Sequence, residues 1–217
     1  MMKPAACFLA LVLGVTSLAA QDPISTIPEA YKLLLENAWV KVVRVHYPAG
    51  AKLPEHTHPA GTTAYVYLND SDGVIFRHVG NSNRSVTRPA VKTGSIRLAG
   101  GGEEHHNAEN PAATPSDFLR IQIKTMTSRN LRQRIPRPAV PATGSITVDY
   151  RSEDLVIQRF TIAPGKSMTA EVVTMPSLWV AIPSGEVRWV NEARDEKIDN
   201  NDSTPMELVR FIILGAK

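Results

Sequence analysis

Cysteine is almost absent from this chain, and its absence removes several kinds of chemistry. The only cysteine is Cys7, which lies in an N-terminal segment that we expect to be removed. The remaining chain therefore has neither disulfides nor a catalytic thiol. The sequence also contains no G-x-S-x-G, P-loop or G-x-G-x-x-G motif, since its GGGEE run has the wrong spacing and follows no strand–helix pattern.

Long apolar runs are also absent, apart from one at the N-terminus. Residues 1–20 read MMKPAACFLALVLGVTSLAA, with Lys3 before the apolar run and small residues before Gln21. This pattern predicts a secretory signal peptide. The alternative is a membrane anchor, but the run is short for crossing a bilayer. Export without disulfides is typical of a bacterial periplasm or exterior, so we expect a periplasmic or secreted protein.

An excess of one charge is missing too. The chain has 24 basic and 21 acidic residues, so loss of Lys3 lowers the formal charge from +3 to +2 and gives no sign of nucleic-acid binding. The one concentration of basic residues, from Lys124 to Gly144, has five of them, no acid and three prolines. We interpret residues 128–144 as a solvated linker, and the alternative is a basic arm that binds phosphate.

What the sequence does contain favours β structure. It has 16 prolines and 13 glycines, and short segments such as WVKVVRVHY, TAYVYL and DFLRIQIKT alternate or are rich in β-branched and aromatic residues. These features predict an all-β sandwich or barrel. The one notable helix candidate is PEAYKLLLEN, from Pro28 to Asn37.

The pattern of strands begins again after the linker. A shift of 115 residues aligns VRVHYPAGAKLPEHTH with QRFTIAPGKSMTAEVV, so that Arg44 meets Arg159 and Gly50 meets Gly165. Identity is low, and coincidence between two β-rich halves is the alternative. The repeated order of strand, glycine turn and strand favours two related units, residues 21–127 and a shorter one at residues 145–217.

The candidate chemistry is concentrated in LPEHTHPAGT. Residues i and i+2 of a strand point to the same face, so His56 and His58 would present two imidazoles side by side. Neutral imidazole is a ligand for several transition metals. The alternative is a pair of polar residues on an exposed edge strand.

Spacing around the pair resembles that of the cupin family. Gly50, His56 and His58 match its first motif, G-x5-H-x-H, and Gly94, Gly102 and His105 match glycine and histidine positions of its second motif. The resemblance covers residues 40–125 well and the second unit only in outline. It implies a cupin-type double-stranded β-helix, or jelly-roll, barrel in two related units, with the second one degenerate. It also implies a metal site made by His56, His58 and His105.

This sequence departs from the family pattern at its usual carboxylate ligand. The family's glutamate would fall at Thr62 or Thr63. Some cupins, such as the thiol dioxygenases, are similar in using three histidines and no glutamate. Glu103, Glu104 or His106 are the candidates for a fourth ligand.

The second motif also departs from the pattern. Its proline position is Gly100, and its asparagine falls at Glu109, or at Asn110 if counted from His106.

The resemblance implies a divalent transition metal, with iron, manganese, zinc, nickel and copper not distinguished. If the chain is an enzyme, it implies metal-dependent oxygenase, lyase or isomerase chemistry on a small molecule, with Glu103 or Glu104 as candidate bases. One alternative is a non-catalytic small-molecule-binding cupin in the periplasm. Another is a structural role, which only Trp179 and Trp189 support. We expect no nucleic-acid partner and no membrane contact after signal cleavage, and homodimer formation is left open.

Overall fold

The structure is a computed structural model that describes residues 22–80, 84–126, 130–192 and 195–215. The predicted signal peptide lies outside the described residues. One short helix precedes the strands of the first unit: α1 (Pro23–Thr26), β1 (Tyr31–Glu36), β2 (Val40–Tyr47), β3 (Lys52–His58), β4 (Thr62–Tyr67), β5 (Val74–His78), β6 (Ser85–Arg88), β7 (Ile96–Ala99), β8 (Glu104–Glu109), β9 (Ser116–Ile123) and β10 (Arg132–Ile135). The second unit contains β11 (Ser145–Arg151), β12 (Leu155–Ile162), β13 (Ser167–Ala170), β14 (Ser177–Ile182), β15 (Val187–Val190), β16 (Glu196–Asp199) and β17 (Met206–Ile213). Within the described part of the chain, no helix is long and apolar enough to span a bilayer.

Each unit is built from two antiparallel sheets. In the first unit a six-stranded sheet, in the order β1-β2-β9-β4-β7-β10, faces a four-stranded sheet, β3-β8-β5-β6. In the second unit a five-stranded sheet, β11-β12-β17-β14-β15, accompanies the pair β13-β16. The predicted all-β jelly-roll architecture in two related units is therefore confirmed.

The two large sheets pack against each other and share the main hydrophobic core. Alternation along β9 shows how one strand serves both faces, because Phe118 faces the interior of the first barrel while Leu119 and Ile121 pack against the second unit. From the second unit, Val180 and Phe211 join the same core. Strands such as β4 are consequently buried on both faces, with all six residues inaccessible.

A hydrogen-bond pattern that occurs in both units supports the internal repeat. The side-chain amide of Asn110 donates to the carbonyls of Tyr47, Pro48 and Thr114, and its oxygen accepts from the next turn. In the second unit Asn200 makes the same set of bonds, to the carbonyls of Ile162, Ala163 and Thr204. The acceptors Tyr47 and Pro48 fall on Ile162 and Ala163 after the 115-residue shift.

The aligned arginines also make reciprocal contacts between the units. Arg44 binds Asp117 and donates to the carbonyl of Ser184 in the second unit. Arg159 pairs with two buried carboxylates, Asp149 and Glu207, and donates to the carbonyl of Gly94 in the first unit. Each arginine therefore joins its own unit to a turn of the other.

Gly94 shows how closely these turns approach. Its φ of +78° favours glycine, and an added Cβ would lie 2.8 Å from the Glu207 carboxylate. The motif glycine is thus required by the contact between the units.

The two arginines differ in burial, which gives a direct test of this interface. We expect Arg159→Met to lower the free energy of unfolding by about 3–5 kcal/mol, because it leaves the buried carboxylate of Asp149 without its cation and Glu207 with Arg137 alone. The equivalent Arg44→Met should cost about 1 kcal/mol or less, since the Arg44 side chain is 37% exposed. Denaturant unfolding of both variants is the measurement. Equal losses would contradict the assignment of Arg159 as the principal link.

The second unit is shorter because one hairpin is missing. A tight turn joins β14 directly to β15, whereas β5 and β6 lie between the corresponding strands β4 and β7. Glu171 and Val173 fall just after β13, where Glu171 is exposed and Val173 is half-buried. A small apolar cluster of Phe160, Ala170, Trp179 and Val190 fills this interior instead.

Two local predictions differ from the structure. The helix predicted from Pro28 to Asn37 is wrong, because Tyr31–Glu36 forms β1 and pairs along β2. A helix that short is marginal alone, whereas the strand completes a sheet and directs Tyr31 into the barrel. The segment interpreted as a linker contains β10, which pairs with β7 and buries Ile135 in the main core. Arg129 lies outside the described residues.

Candidate metal centre

Three histidines meet inside the first barrel, on the neighbouring strands β3 and β8. His56 and His106 are cross-strand partners, and His58 follows on the same face of β3. A β-bulge between Leu53 and His56 resets the register and directs these side chains. The three residues are only 1%, 6% and 1% exposed, for His56, His58 and His106, and one ring nitrogen from each lies within 4.8 Å of the others.

The structure differs from the prediction at the third histidine, because His106 rather than His105 lies with the pair. His105 is opposite Thr57 and points to the other face of β8, where its Nε2 lies 3.6 Å from a Glu55 carboxylate oxygen. The sequence carries a signal for this choice. Asn110 follows His106 with the family's H-x3-N spacing, and Ala108 between them alternates onto the buried face.

Hydrogen bonds define the ring orientation of His56. Its Nδ1 donates to the carbonyl of Pro54 at 2.9 Å, so Nε2 accepts from the hydroxyl of Tyr31 at 2.8 Å. The Tyr31 hydroxyl also lies 2.6 Å from that of Tyr47. Such a bond from Nδ1 to a backbone carbonyl is usual for histidines that bind metal through Nε2.

His106 has no such partners. Both of its ring nitrogens are buried and unpaired among the described residues, although a buried polar atom normally has a hydrogen-bond partner. A metal ion bound to one of them would satisfy it. Donors at about 2.1 Å from one ion lie at most about 4.2 Å apart. Closing the cluster around an ion therefore needs only a small inward movement from the present 4.8 Å.

The protonation state of the cluster also suits a metal. Burial lowers the pKa of His106 to about 2, with the charges of His56 and Arg88 as further causes. Burial, followed by Arg120, lowers the pKa of His58 still more, and burial also lowers that of His56. All three rings are consequently neutral at pH 7, as metal ligands must be, and the lone pair of His56 Nε2 becomes available when the Tyr31 hydroxyl releases it.

Positive charge from arginine surrounds the interior above the histidines. Arg120 is 7% exposed, and its Nε, like the buried Nε and Nη2 of Arg97, has no hydrogen-bond partner in the part of the chain that the structure describes. The guanidinium carbons of Arg88 and Arg97 lie 5.0 and 4.1 Å from the centre of the Tyr65 ring. Burial by itself raises the pKa of the Tyr65 phenol, but Arg88, Arg120 and Arg97 together bring it below its ordinary value.

The carboxylates considered from the sequence occupy different places. Glu104 begins β8 opposite His58 and lines the small cavity beside His58 and His106. Glu103 precedes the strand and is exposed. Thr62 and Thr63, at the family's glutamate position, are buried on β4. Within the described residues, the histidine cluster contains no carboxylate.

Several residues near the cluster were not expected from the sequence. Tyr31 was assigned to a helix, and Arg88 and Arg120 carried no motif. Only Arg120 had a readable signal, because its position in the alternation of β9 matches that of Phe118. His78 is half-buried with its ring 5.5 Å from that of His106.

Comparison with solved structures identifies the fold. AerE from Microcystis aeruginosa superposes with a TM-score of 0.52 at 15% identity, over 85% of this chain and 97% of that one. The pirin YhhW from Escherichia coli, in complex with nickel(II), gives 0.53 at 14% identity over 84% and 90%. A variant of oxalate decarboxylase from Bacillus subtilis gives 0.50 at 12% identity over 88% and 71%. No family model and no curated protein matches the sequence.

The chain is thus a cupin-fold protein with two related units. The first unit holds a candidate three-histidine metal centre, made by His56, His58 and His106.

Proposed function

We propose that this is an exported metalloprotein whose first barrel holds a divalent transition metal through His56, His58 and His106 and acts on a small anionic molecule. The observation that carries the proposal is the buried cluster of neutral imidazoles, in which both ring nitrogens of His106 lack a partner among the described residues.

Mass spectrometry of the mature chain tests export. We expect the first residue to lie near Gln21, and an intact segment of residues 1–20 would contradict export.

Charge around the cluster supports an anionic substrate. A divalent ion with three neutral ligands keeps its two positive charges, and Arg120, Arg88 and Arg97 add more. Glu104 is the one carboxylate among the described residues that line the small cavity. An anion at the centre would therefore be strongly favoured.

The chain's own residues would orient that molecule. Arg120 offers an unpaired Nε inside the barrel, and Glu104 lies where it could accept a proton from a bound group. The Pro54 carbonyl would hold the His56 ring through Nδ1, while the Tyr31 hydroxyl, which donates to Nε2, would release that nitrogen to a bound ion. A metal in this position would supply Lewis acidity or activate dioxygen, which makes a metal-dependent oxygenase the enzyme class proposed.

A second candidate is a non-catalytic binding protein, and the size of the interior favours it. The cavity beside His58 and His106 measures about 10 Å³, which is room for about one water molecule. A substrate has to enter from the adjoining surface, and a closed centre of this kind also suits binding without turnover.

Oxygen uptake separates the two candidates. The mature protein, loaded in turn with iron(II), manganese, nickel, copper and zinc, is assayed with phenols, thiols, β-diketones and aromatic carboxylates. Turnover with a carboxylate that is lost in His106→Gln supports the oxygenase. Stoichiometric metal without turnover across the panel supports the binding protein, and no metal uptake contradicts both.

A further inference from the structure

A groove in the first unit lies between the β5–β6 hairpin and the strands β7 and β10. It measures about 630 Å³ and is open on one side. Phe76, Arg88 and Glu104 line both this groove and the small cavity beside His58 and His106. These three side chains form the wall between the groove and the histidine cluster.

Six basic residues line this cavity, which we call the basic groove. They are Arg84, Arg88, Lys92, Arg97, Arg132 and Arg134. Only Lys92 has a carboxylate partner among the described residues, in Asp70 at 2.7 Å, and Glu104 is the one acid in the described lining. The groove consequently has a positive potential that its own side chains do not neutralise.

Strand pairing brings two of these cations directly together. Arg134 on β10 is the cross-strand partner of Arg97 on β7, so both side chains project from the same face. Like charges in this relation destabilise a sheet. Arg97 also has buried donors without acceptors, and burial followed by the charge of Arg88 lowers its pKa. An external anion between Arg97 and Arg134 would offset their repulsion and give the buried donors of Arg97 an acceptor.

The second unit has no comparable surface. Its described residues contain no hairpin equivalent to β5–β6, and its large sheet ends at β15 with no counterpart of β10. Both walls of the basic groove therefore belong to the unit that holds the histidine cluster.

We propose that the basic groove binds an elongated small molecule with at least two oxyanion groups, carboxylate or phosphate. The inner group lies at Arg88 and Arg97, and the outer group lies at Arg132 and Arg134. As a statement about the substrate of the metal centre, this inference rests on the proposed function. Anion binding by the groove does not require the metal.

Calorimetric titration of metal-free protein tests the proposal, with citrate, pyrophosphate and acetate as probes. We expect citrate, pyrophosphate or both to bind more tightly than acetate, with an affinity that decreases as salt is added. Tighter citrate identifies carboxylate groups as the preferred ligand, and tighter pyrophosphate identifies phosphate. If neither binds more tightly than acetate, the proposal is wrong.

Charge-removing variants locate the binding. Arg134→Gln and Arg132→Gln alter exposed side chains, and each should weaken binding of the tighter probe by about tenfold through loss of a charge-assisted hydrogen bond. Arg97→Gln should weaken it at least as much. The matched control is Arg151→Gln, which removes an exposed arginine from β11 in the second unit and should leave affinity unchanged. Equal weakening in Arg151→Gln would overturn the proposal, because binding would then follow net charge alone.

Failure of the metal centre is separable from failure of the groove. His106→Gln, titrated with the same probes, should bind them as the wild type does. Groove binding in a protein that takes up no metal would leave the inference standing as an anion site while the proposed function fails.

Discussion

His106→Gln is expected to abolish metal binding, whereas His105→Gln leaves it unchanged. His106 is 1% exposed with two unpaired ring nitrogens, while His105 faces outwards near Glu55. Loss of one ligand from three should lower affinity more than about 100-fold, since even partners outside the ligand set contribute 10–100-fold. Elemental analysis after dialysis is the measurement.

The adjacent histidines make this a closely matched pair. Both substitutions remove one imidazole from β8, so a general effect on the strand would appear in both variants. Stoichiometric metal in His106→Gln would contradict the candidate centre. If only His105→Gln loses metal, the ligands would instead be His56, His58 and His105, as the motif implied.

The metal-free protein should become steeply less stable in acid. The folded pKa values of His56, His58 and His106 lie below the unfolded value of about 6.5, so the unfolded state binds protons first as the pH falls. The stability from these neutral rings is complete above pH 6.5. It is lost below that value, and for His106 the loss continues to a pH of about 2.

His58 and His106 should together remove about 2.7 kcal/mol per pH unit well below pH 6.5, and His56 adds to this loss. Denaturant unfolding in a chelator, repeated from pH 7 to pH 4.5, measures this slope. His106→Gln should reduce it by about 1.4 kcal/mol per pH unit, and His46→Gln, at an exposed position, should leave it unchanged. A slope unaffected by His106→Gln would contradict neutral burial of that ring.

Much of the architecture was predictable because it depends on local patterns. The aromatic and β-branched residues of segments such as Thr63 to Leu68 identified strands without knowledge of their partners. The alignment of Arg44 with Arg159 by a 115-residue shift also agrees with the structure, because both arginines make equivalent contacts across the two units. The β1 strand was not predicted, since its apolar run also suits a helix. Only its pairing with β2 decides between a helix and a strand.

The candidate site was predictable only in part. His56 and His58 share a face through the two-residue period of a strand, which is a property of the chain itself. The choice between His105 and His106 depends on which face of β8 meets β3, and the bulge after Leu53 takes part in that register. Counting from a glycine motif does not contain this information.

The sequence by itself therefore determined the all-β class, the repeat of two units and one pair of imidazoles on a common face. Only the tertiary structure decided the third histidine, the approach of Tyr31 and the arginines that meet in the basic groove. These features join residues distant along the chain, such as Arg97 and Arg134, through strand pairing. Pairing is set by the packing of whole sheets, and a local pattern of residues does not specify it.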